Sequence, residues 1–326
     1  MQARRLGGRG PEVSVIGFGA WAIGSGWGPQ EDEASVAALH RALDLGVTFI
    51  DTALAYGDGR SERLIGRVLD ERSDRGRVAV ATKIPPKTGR WAPPRGTPIA
   101  EVYPPAYIVE SCEQSLRNLG AERVDVLQFH TWLDEWNETD EWHETMERLR
   151  AQGKIGAVGI SVPDDRPGDA NGAIERGRVD SVQVVYNILD QRARTALFPV
   201  ARAHGTGVIA RVPLASGALS GKFSVDTRFA KGDWRADWFT PAVLSRVVTQ
   251  VRRIEAIVGA GAPFALRALQ FCLADEAVTC VIPGTRTPLQ AEENAAAAAL
   301  EPLAPEVVER LCAEGAMDPP PPASPG

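Results

Sequence analysis

Val47-Thr-Phe-Ile-Asp51-Thr-Ala-Leu-Ala-Tyr56-Gly57 opens with an apolar, β-rich run and stops on a carboxylate. A short run of this kind, closed by turn residues, reads as a buried strand. Just upstream, Glu31–Leu45 carries apolar residues at helical spacing, and Gly46 separates it from the strand. Just downstream, Ser61–Arg72 reads as a second helix, with Ser61 placed to cap its exposed N–H groups.

The same unit recurs along the chain. Val13–Gly17, Val47–Asp51, Arg77–Thr82, Val124–Phe129, Ile155–Ile160, Ser181–Val185, Gly207–Arg211 and Val278–Ile282 read as strands. Further helices are read at Pro105–Leu119, Glu138–Gln152, Val243–Val258, Pro263–Leu273 and Pro288–Leu300. Strand–helix alternation predicts a parallel α/β sheet. Eight repeats in one chain of 326 residues predict a closed (β/α)₈ barrel of the TIM type. No change of composition divides the chain, so residues 1–317 are expected to form one domain. The proline-rich tail 318–326 is expected to be disordered, because it has too little apolar surface to offset ordering.

Three stretches break the alternation. Residues 84–104 are proline-rich and contain Trp91; residues 131–142 contain Trp132, Trp136 and Trp142; residues 213–241 contain Trp234 and Trp238. Long loops in a compact domain commonly carry function. The aromatics read as walls of a substrate pocket, or else as caps on the barrel rim.

Composition limits the partners. The formal charge of −6 argues against nucleic acid or an anionic membrane as the main partner. No run approaches the ~18 apolar residues of a membrane span. The N-terminal residues lack the apolar core of a signal peptide. Cys112, Cys272, Cys280 and Cys312 show neither C-x-x-C spacing nor histidines at ligand distance, so no metal site is expected. Reduced thiols in a cytoplasmic protein are the expectation.

The chemistry stands where strands stop. Phe-Ile ends on Asp51, Val-Ala-Val-Ala-Thr on Lys83, and Asp-Val-Leu-Gln-Phe on His130. In a (β/α)₈ barrel these positions share the C-terminal mouth, where active sites form. Tyr56, five residues past Asp51, can fold back over it. A free phenol has a pKa near ~10, and a lysine ammonium beside it favours the phenolate and lowers that value. Asp51 would hold Lys83 charged, and His130 could orient a carbonyl oxygen. Any one of these could be a structural ion pair. Four together suit hydride addition to a carbonyl with protonation of its oxygen, or the reverse.

These four residues resemble the catalytic tetrad of the aldo-keto reductase superfamily. Phe49-Ile-Asp-Thr-Ala-Leu-Ala-Tyr-Gly57 is similar to its second-strand motif. Gly153-Lys-Ile-Gly-Ala-Val-Gly-Ile-Ser161, Gln183-Val-Val-Tyr-Asn187 and Val281-Ile-Pro-Gly-Thr-Arg286 through Glu293-Asn294 are similar to its later signatures. The similarity extends from about Gly17 to Leu300. It implies an NADPH-dependent reductase of a small aldehyde or ketone, with NADH the weaker cofactor and Tyr56 as general acid. A ketoreductase of a natural-product or sugar pathway would suit the tryptophan-rich loops. The alternative is a cofactor-binding regulatory subunit like the β-subunits of potassium channels.

The resemblance also implies where the cofactor lies. Gly19 and Ala20 would flank it, and Ser161 and Gln183 would hold the carboxamide. Leu214, Ser216 and Gly217 would follow the pyrophosphate. Gly284, Thr285, Arg286 and Gln290 would surround the adenosine phosphate, and Glu293 and Asn294 the adenine. Arg286, able to bind a phosphate bidentately, is the reason for expecting NADPH. Trp21, Trp91 and Trp132 would line the substrate pocket. Gly17-Phe-Gly-Ala-Trp-Ala22 matches a relaxed G-x-G-x-x-A fingerprint, but Gly24, Gly26, Gly28 and Pro29 follow where a Rossmann helix is required. Two positions depart from the family: Val162 where Asn is usual, and Arg211 where an aromatic usually stacks under the nicotinamide. Arg211 is expected either to stack there by its guanidinium plane or to turn away and pair with an acidic residue or the substrate.

Overall fold

The computed structural model describes residues 1–24, 28 and 30–321. Ten strands occur among them: β1 Ala3–Arg5, β2 Glu12–Ser14, β3 Phe18–Gly19, β4 Phe49–Asp51 and β5 Ala79–Ile84, then β6 Val124–Phe129, β7 Ile155–Ser161, β8 Ser181–Val185, β9 Gly207–Arg211 and β10 Val278–Val281. Strands β3 to β10 form one eight-stranded parallel sheet in sequence order. It closes on itself, because Ile16 bridges Val281 and Gly19 bridges Gly284, both in parallel. The fold is the (β/α)₈ barrel that the alternation predicts.

The first strand differs from expectation. Val13–Gly17 is not one element. Glu12–Ser14 pairs antiparallel with Ala3–Arg5 as a hairpin, and the barrel strand begins at Phe18. The hairpin offers Leu6 and Val13 to a small inner core with Phe49, Ala79, Ala81, Val126, Ala157, Ile209, Cys280 and Ile282. Those residues alternate along their strands, as inward-facing positions must. The hairpin therefore plugs one end of the barrel, which is why Val13 is apolar. Two residues further along the same inward rows stand Asp51, Lys83 and Gln128, so the opposite end is polar.

The larger core lies between the strands and the outer helices. Helix Pro105–Leu119 shows the pattern: Ile108, Cys112, Leu116 and Leu119 form its buried stripe, and Gly120, left-handed at φ 57°, ends it. Pro288–Ala296 begins with Thr287 accepting the Gln290 N–H and ends before the expected Leu300. A further helix, Pro305–Glu314, escapes the sequence reading and buries Leu311. After it come residues 318–321 of the proline-rich tail, with Asp318 and Pro319 exposed. Arg246 donates to the carbonyls of Asp318 and Pro319, and Pro321 is buried. The rest of the expected disordered tail, and Gly26 and Pro29, lie outside the described residues.

All four cysteines are free thiols. No helix among the described residues is long and apolar enough to cross a membrane, and no group of three potential metal ligands occurs there.

Candidate active site

The polar end of the barrel opens into a cavity of about 1050 Å³. Asp51, Tyr56 and His130 line it, and Lys83 lies fully buried beneath. Lys83 Nζ donates to Asp51 Oδ2 at 2.6 Å, to the Thr52 carbonyl at 2.8 Å and to Tyr56 Oη at 3.2 Å. An ammonium has three protons, and here all three are used. It has no lone pair to accept the phenolic hydrogen. The Tyr56 O–H must therefore point away from Lys83, into the cavity.

The turn that carries Tyr56 is fixed from below. Thr52 and Ser61 share a hydroxyl hydrogen bond of 2.8 Å, and Ser61 Oγ donates to the Ala20 carbonyl. Gly57 and Gly59, both at positive φ, and Asp58 at φ 51° turn the chain back. Gly24 is needed beside it, since a Cβ there would come within 2.7 Å of the Tyr56 backbone.

Electrostatics keeps the site in one protonation state. Burial pushes the Tyr56 phenol above the ordinary tyrosine value, and the pull of Lys83 only partly offsets this. The expected net lowering by Lys83 is thus corrected: dehydration of the phenolate outweighs the ammonium. Tyr56 carries its proton at neutral pH. Burial works against the Lys83 charge, but Asp51 and Tyr56 prevail and hold it above the usual lysine range. Burial, with the charges of Lys83 and Arg211, holds His130 well below its usual value, so the imidazole is neutral. His130 Nδ1 is buried without a partner. Its ring meets Trp91 edge-on at 4.7 Å and Tyr56 at 5.6 Å.

Of the three tryptophans expected in the substrate pocket, Trp21 and Trp91 line the cavity, and Trp238 joins them. Trp132 does not. It is fully buried against Phe129, Trp136 and Trp142, at ring distances of 5.2, 5.3 and 4.8 Å. Beyond His130 the chain turns into the helix layer, and Trp132 follows Phe129 there. Part of the wall is charged: Asp164, Asp165, Arg192 and Arg211 also line the cavity.

Arg211 occupies that wall in a pair. It donates to the Val162 carbonyl at 3.0 Å and to Asp164 at 2.5 Å. Of the two arrangements expected for Arg211, the pair with an acidic residue is the one found. The following Val212 has φ 55°, a strained conformation for a β-branched residue, and Asn187 holds its carbonyl at 3.0 Å.

The residues expected around a cofactor separate into two sets. Gly19, Ser161 and Gln183, from barrel strands, line the cavity, as do Leu214, Ser216 and Gly217. Gly284, Gln290, Glu293 and Asn294 also line it. Ala20, Thr285 and Arg286 are not on the cavity wall. Ala20 is fully buried, and its N–H donates to the Asp51 carbonyl. Thr285 is buried between the Pro283 carbonyl and the Asn294 amide. Arg286 is half-buried behind Gln290, which accepts its backbone N–H at 2.8 Å, and its Nε donates to Gln30.

The set fits a dinucleotide. A hydroxyl and an amide, from Ser161 and Gln183, stand beside the tetrad. Ala215, Ser216 and Gly217 are successively left-handed, at φ 46°, 56° and 99°, a tight turn closed by the Ala215 N–H on the Val212 carbonyl and the Gly217 N–H on the Leu214 carbonyl, both at 2.9 Å. Lys222 and Arg235 line the cavity beside it. Arg235 also pairs with Asp233.

Sequence reasoning misses Gln128, Asp164 and Gln30. Gln128 is legible in principle, being the one polar side chain two residues before His130 on the same strand face. Asp164 and Gln30 stand on loops, and no periodicity places them.

The profile of the Aldo/keto reductase family matches residues 15–313. The chain belongs to the aldo/keto reductase family, a family of oxidoreductases. It is 32% identical over 236 residues to "Aldo-keto reductase YhdN" of Bacillus subtilis (strain 168), covering 72% of this chain and 69% of that one. The structure titled "glycerol dehydrogenase AKR11B4 from Gluconobacter oxydans" superposes with a TM-score of 0.79 at 28% identity, covering 99% and 98%. The holo form of "aldo-keto reductase AKR11C1 from Bacillus halodurans" gives 0.76 at 27%, covering 97% and 96%.

Proposed function

We propose that this chain reduces a small aldehyde or ketone with NADPH, and that Tyr56 delivers the proton. The observation that carries this reading is the use of all three Lys83 protons, which leaves the Tyr56 hydroxyl hydrogen facing the cavity. Ser161 and Gln183 would hold the carboxamide of the cofactor, the Leu214–Gly217 turn would run along its pyrophosphate, and Arg286, now held by Gln30 and Gln290, would have to swing toward the cavity to reach its 2′-phosphate. When bound, the reduced nicotinamide supplies a hydride.

The chain's own residues do the rest. His130, neutral and wedged between Trp91 and Tyr56, can hydrogen-bond a carbonyl oxygen and hold it toward the phenol. As negative charge grows on that oxygen, the Tyr56 proton moves to it. Lys83 stabilises the phenolate left behind, and Asp51 keeps Lys83 charged and fixed. Trp21, Trp91 and Trp238 offer apolar surface to the substrate, while Asp164 and Arg211 offer polar surface in the same cavity. Trp132, Trp136 and Trp142, placed in the core, no longer argue for an extended apolar substrate.

A test is to follow loss of reduced-cofactor absorbance with NADPH and a panel of aldehydes, quinones, ketosteroids and keto-sugars. The reading requires turnover of at least one carbonyl. Binding of NADPH without turnover of any member would contradict it and favour a regulatory role.

A further inference from the structure

Gln128 is fully buried inside the barrel, on the strand between Lys83 and the cofactor-facing residues. Its Nε2 donates to Asp51 Oδ1 at 3.2 Å, and Gln183 Nε2 donates to the same oxygen at 2.7 Å. Gln183 Nε2 also lies 3.5 Å from Gln128 Oε1. The three side chains thus form a closed triangle beneath the cavity. On the next strand, paired with Gln128, stands Gly159. A Cβ there would come within 2.7 Å of Gln128 Cγ, so the absence of a side chain makes room for this glutamine.

The triangle fixes which end of the Gln183 amide faces out. Its NH₂ is drawn inward by Asp51 and by the Gln128 oxygen. Its carbonyl oxygen is left for the cavity that Gln183 lines. An outward acceptor selects a ligand that donates. We propose that Gln128 is a positioning residue: by holding Asp51 and Gln183 together, it presents the Gln183 oxygen to the NH₂ of the cofactor carboxamide and ties cofactor recognition to the Asp51–Lys83 pair. This rests on the cofactor reading above.

The probe is NADP⁺ against its 3-acetylpyridine analogue, in which a methyl group replaces the carboxamide NH₂. Dissociation constants are read from tryptophan fluorescence of the full chain. Wild type should bind the analogue more weakly. Gln128→Met, nearly isosteric but without hydrogen-bonding groups, should shrink that preference by about three- to tenfold, the worth of one hydrogen bond. Gln128→Glu sharpens the test. As a neutral acid the introduced side chain can donate to Asp51 and accept from Gln183, so the preference should return at low pH and disappear as that carboxyl ionises. This second variant decides the matter if the methionine variant does not fold. An unchanged preference in Gln128→Met that still binds NADP⁺, or a pH-independent loss in Gln128→Glu, would overturn the proposal alone. Failure of wild type to bind NADP⁺ would overturn the cofactor reading and this proposal with it.

Discussion

At the floor of the cavity, Asp51, Lys83 and Gln128 stand on strands paired on both sides, and every polar atom of Lys83 has a partner inside the barrel. At the rim, Trp91 stands on a long loop and Trp238 at the end of the four-residue helix Arg235–Trp238. The loop of Trp91 is tied down by Arg95, which bridges Glu135 and Asp169 from a half-exposed position. The turn from Val212 to Gly217 holds three non-glycine residues at positive φ. Floor bonds are dehydrated, so losing one leaves a buried group unmet, whereas rim bonds compete with water. The floor sets the protonation state and the rim sets which molecule meets it. Substitutions at the floor should therefore act strongly on the chemical step, and those at the rim weakly and selectively.

The largest effect is expected at Lys83. Lys83→Met leaves the Asp51 carboxylate buried without its counter-charge, which should destabilise the fold by about 3–5 kcal/mol. Any folded fraction should turn over at least about a hundredfold more slowly, because the phenolate loses its partner. Urea unfolding and steady-state rates check both parts. A variant of unchanged stability would show that the floor is wetter than its geometry implies.

Arg286 comes next. If it reads the 2′-phosphate, wild type should prefer NADPH over NADH by about ten- to a hundredfold, and Arg286→Ala should erase most of that. Equal affinity for the two cofactors in wild type would remove Arg286 from the site.

A smaller effect is expected at Asp164. Paired with Asp164, Arg211 contributes little net charge beside a nicotinamide ring. Asp164→Asn uncovers that charge, which should weaken binding of cationic NADP⁺ relative to neutral NADPH by a few-fold. Titrating both redox forms tests this. An unchanged ratio would mean that the ring does not sense Arg211.

A separate effect, read as stability rather than rate or affinity, is on stability against pH. His130 is held well below its usual value in the folded chain. The unfolded chain binds its proton near pH ~6.5. The stability from His130 is therefore complete above that pH. It is lost as pH falls below it, by up to about 1.4 kcal/mol per pH unit until the folded value is reached. His130→Gln should flatten this part of the stability profile, and an unchanged slope would place its origin elsewhere.

The same contrast explains what can be read in the sequence. Asp51, Lys83 and His130 are legible because each ends an apolar strand, and the inward row of a barrel is fixed by a period of two. Gln128 obeys that period and is easily passed over because an amide carries no charge. The split of Val13–Gly17 is not legible: a strand that plugs the barrel and one that lines it are equally apolar. Trp132 and Trp91 look alike in sequence, and only the path of the chain after His130 sends one into the core. Arg211 is legible as a departure, but its Asp164 partner lies 47 positions away on another loop.

The account turns on the proton at Tyr56, and a single-turnover measurement on Tyr56→Phe tests it most directly. With NADPH prebound and a turned-over carbonyl at saturation, oxidation of the cofactor should slow by about 10²–10⁴-fold, as loss of a general acid implies. The dissociation constant for NADPH should stay within about twofold, since only a hydroxyl is removed. A variant that keeps more than about a tenth of the wild-type single-turnover rate would contradict the account, because another group would then be supplying the proton.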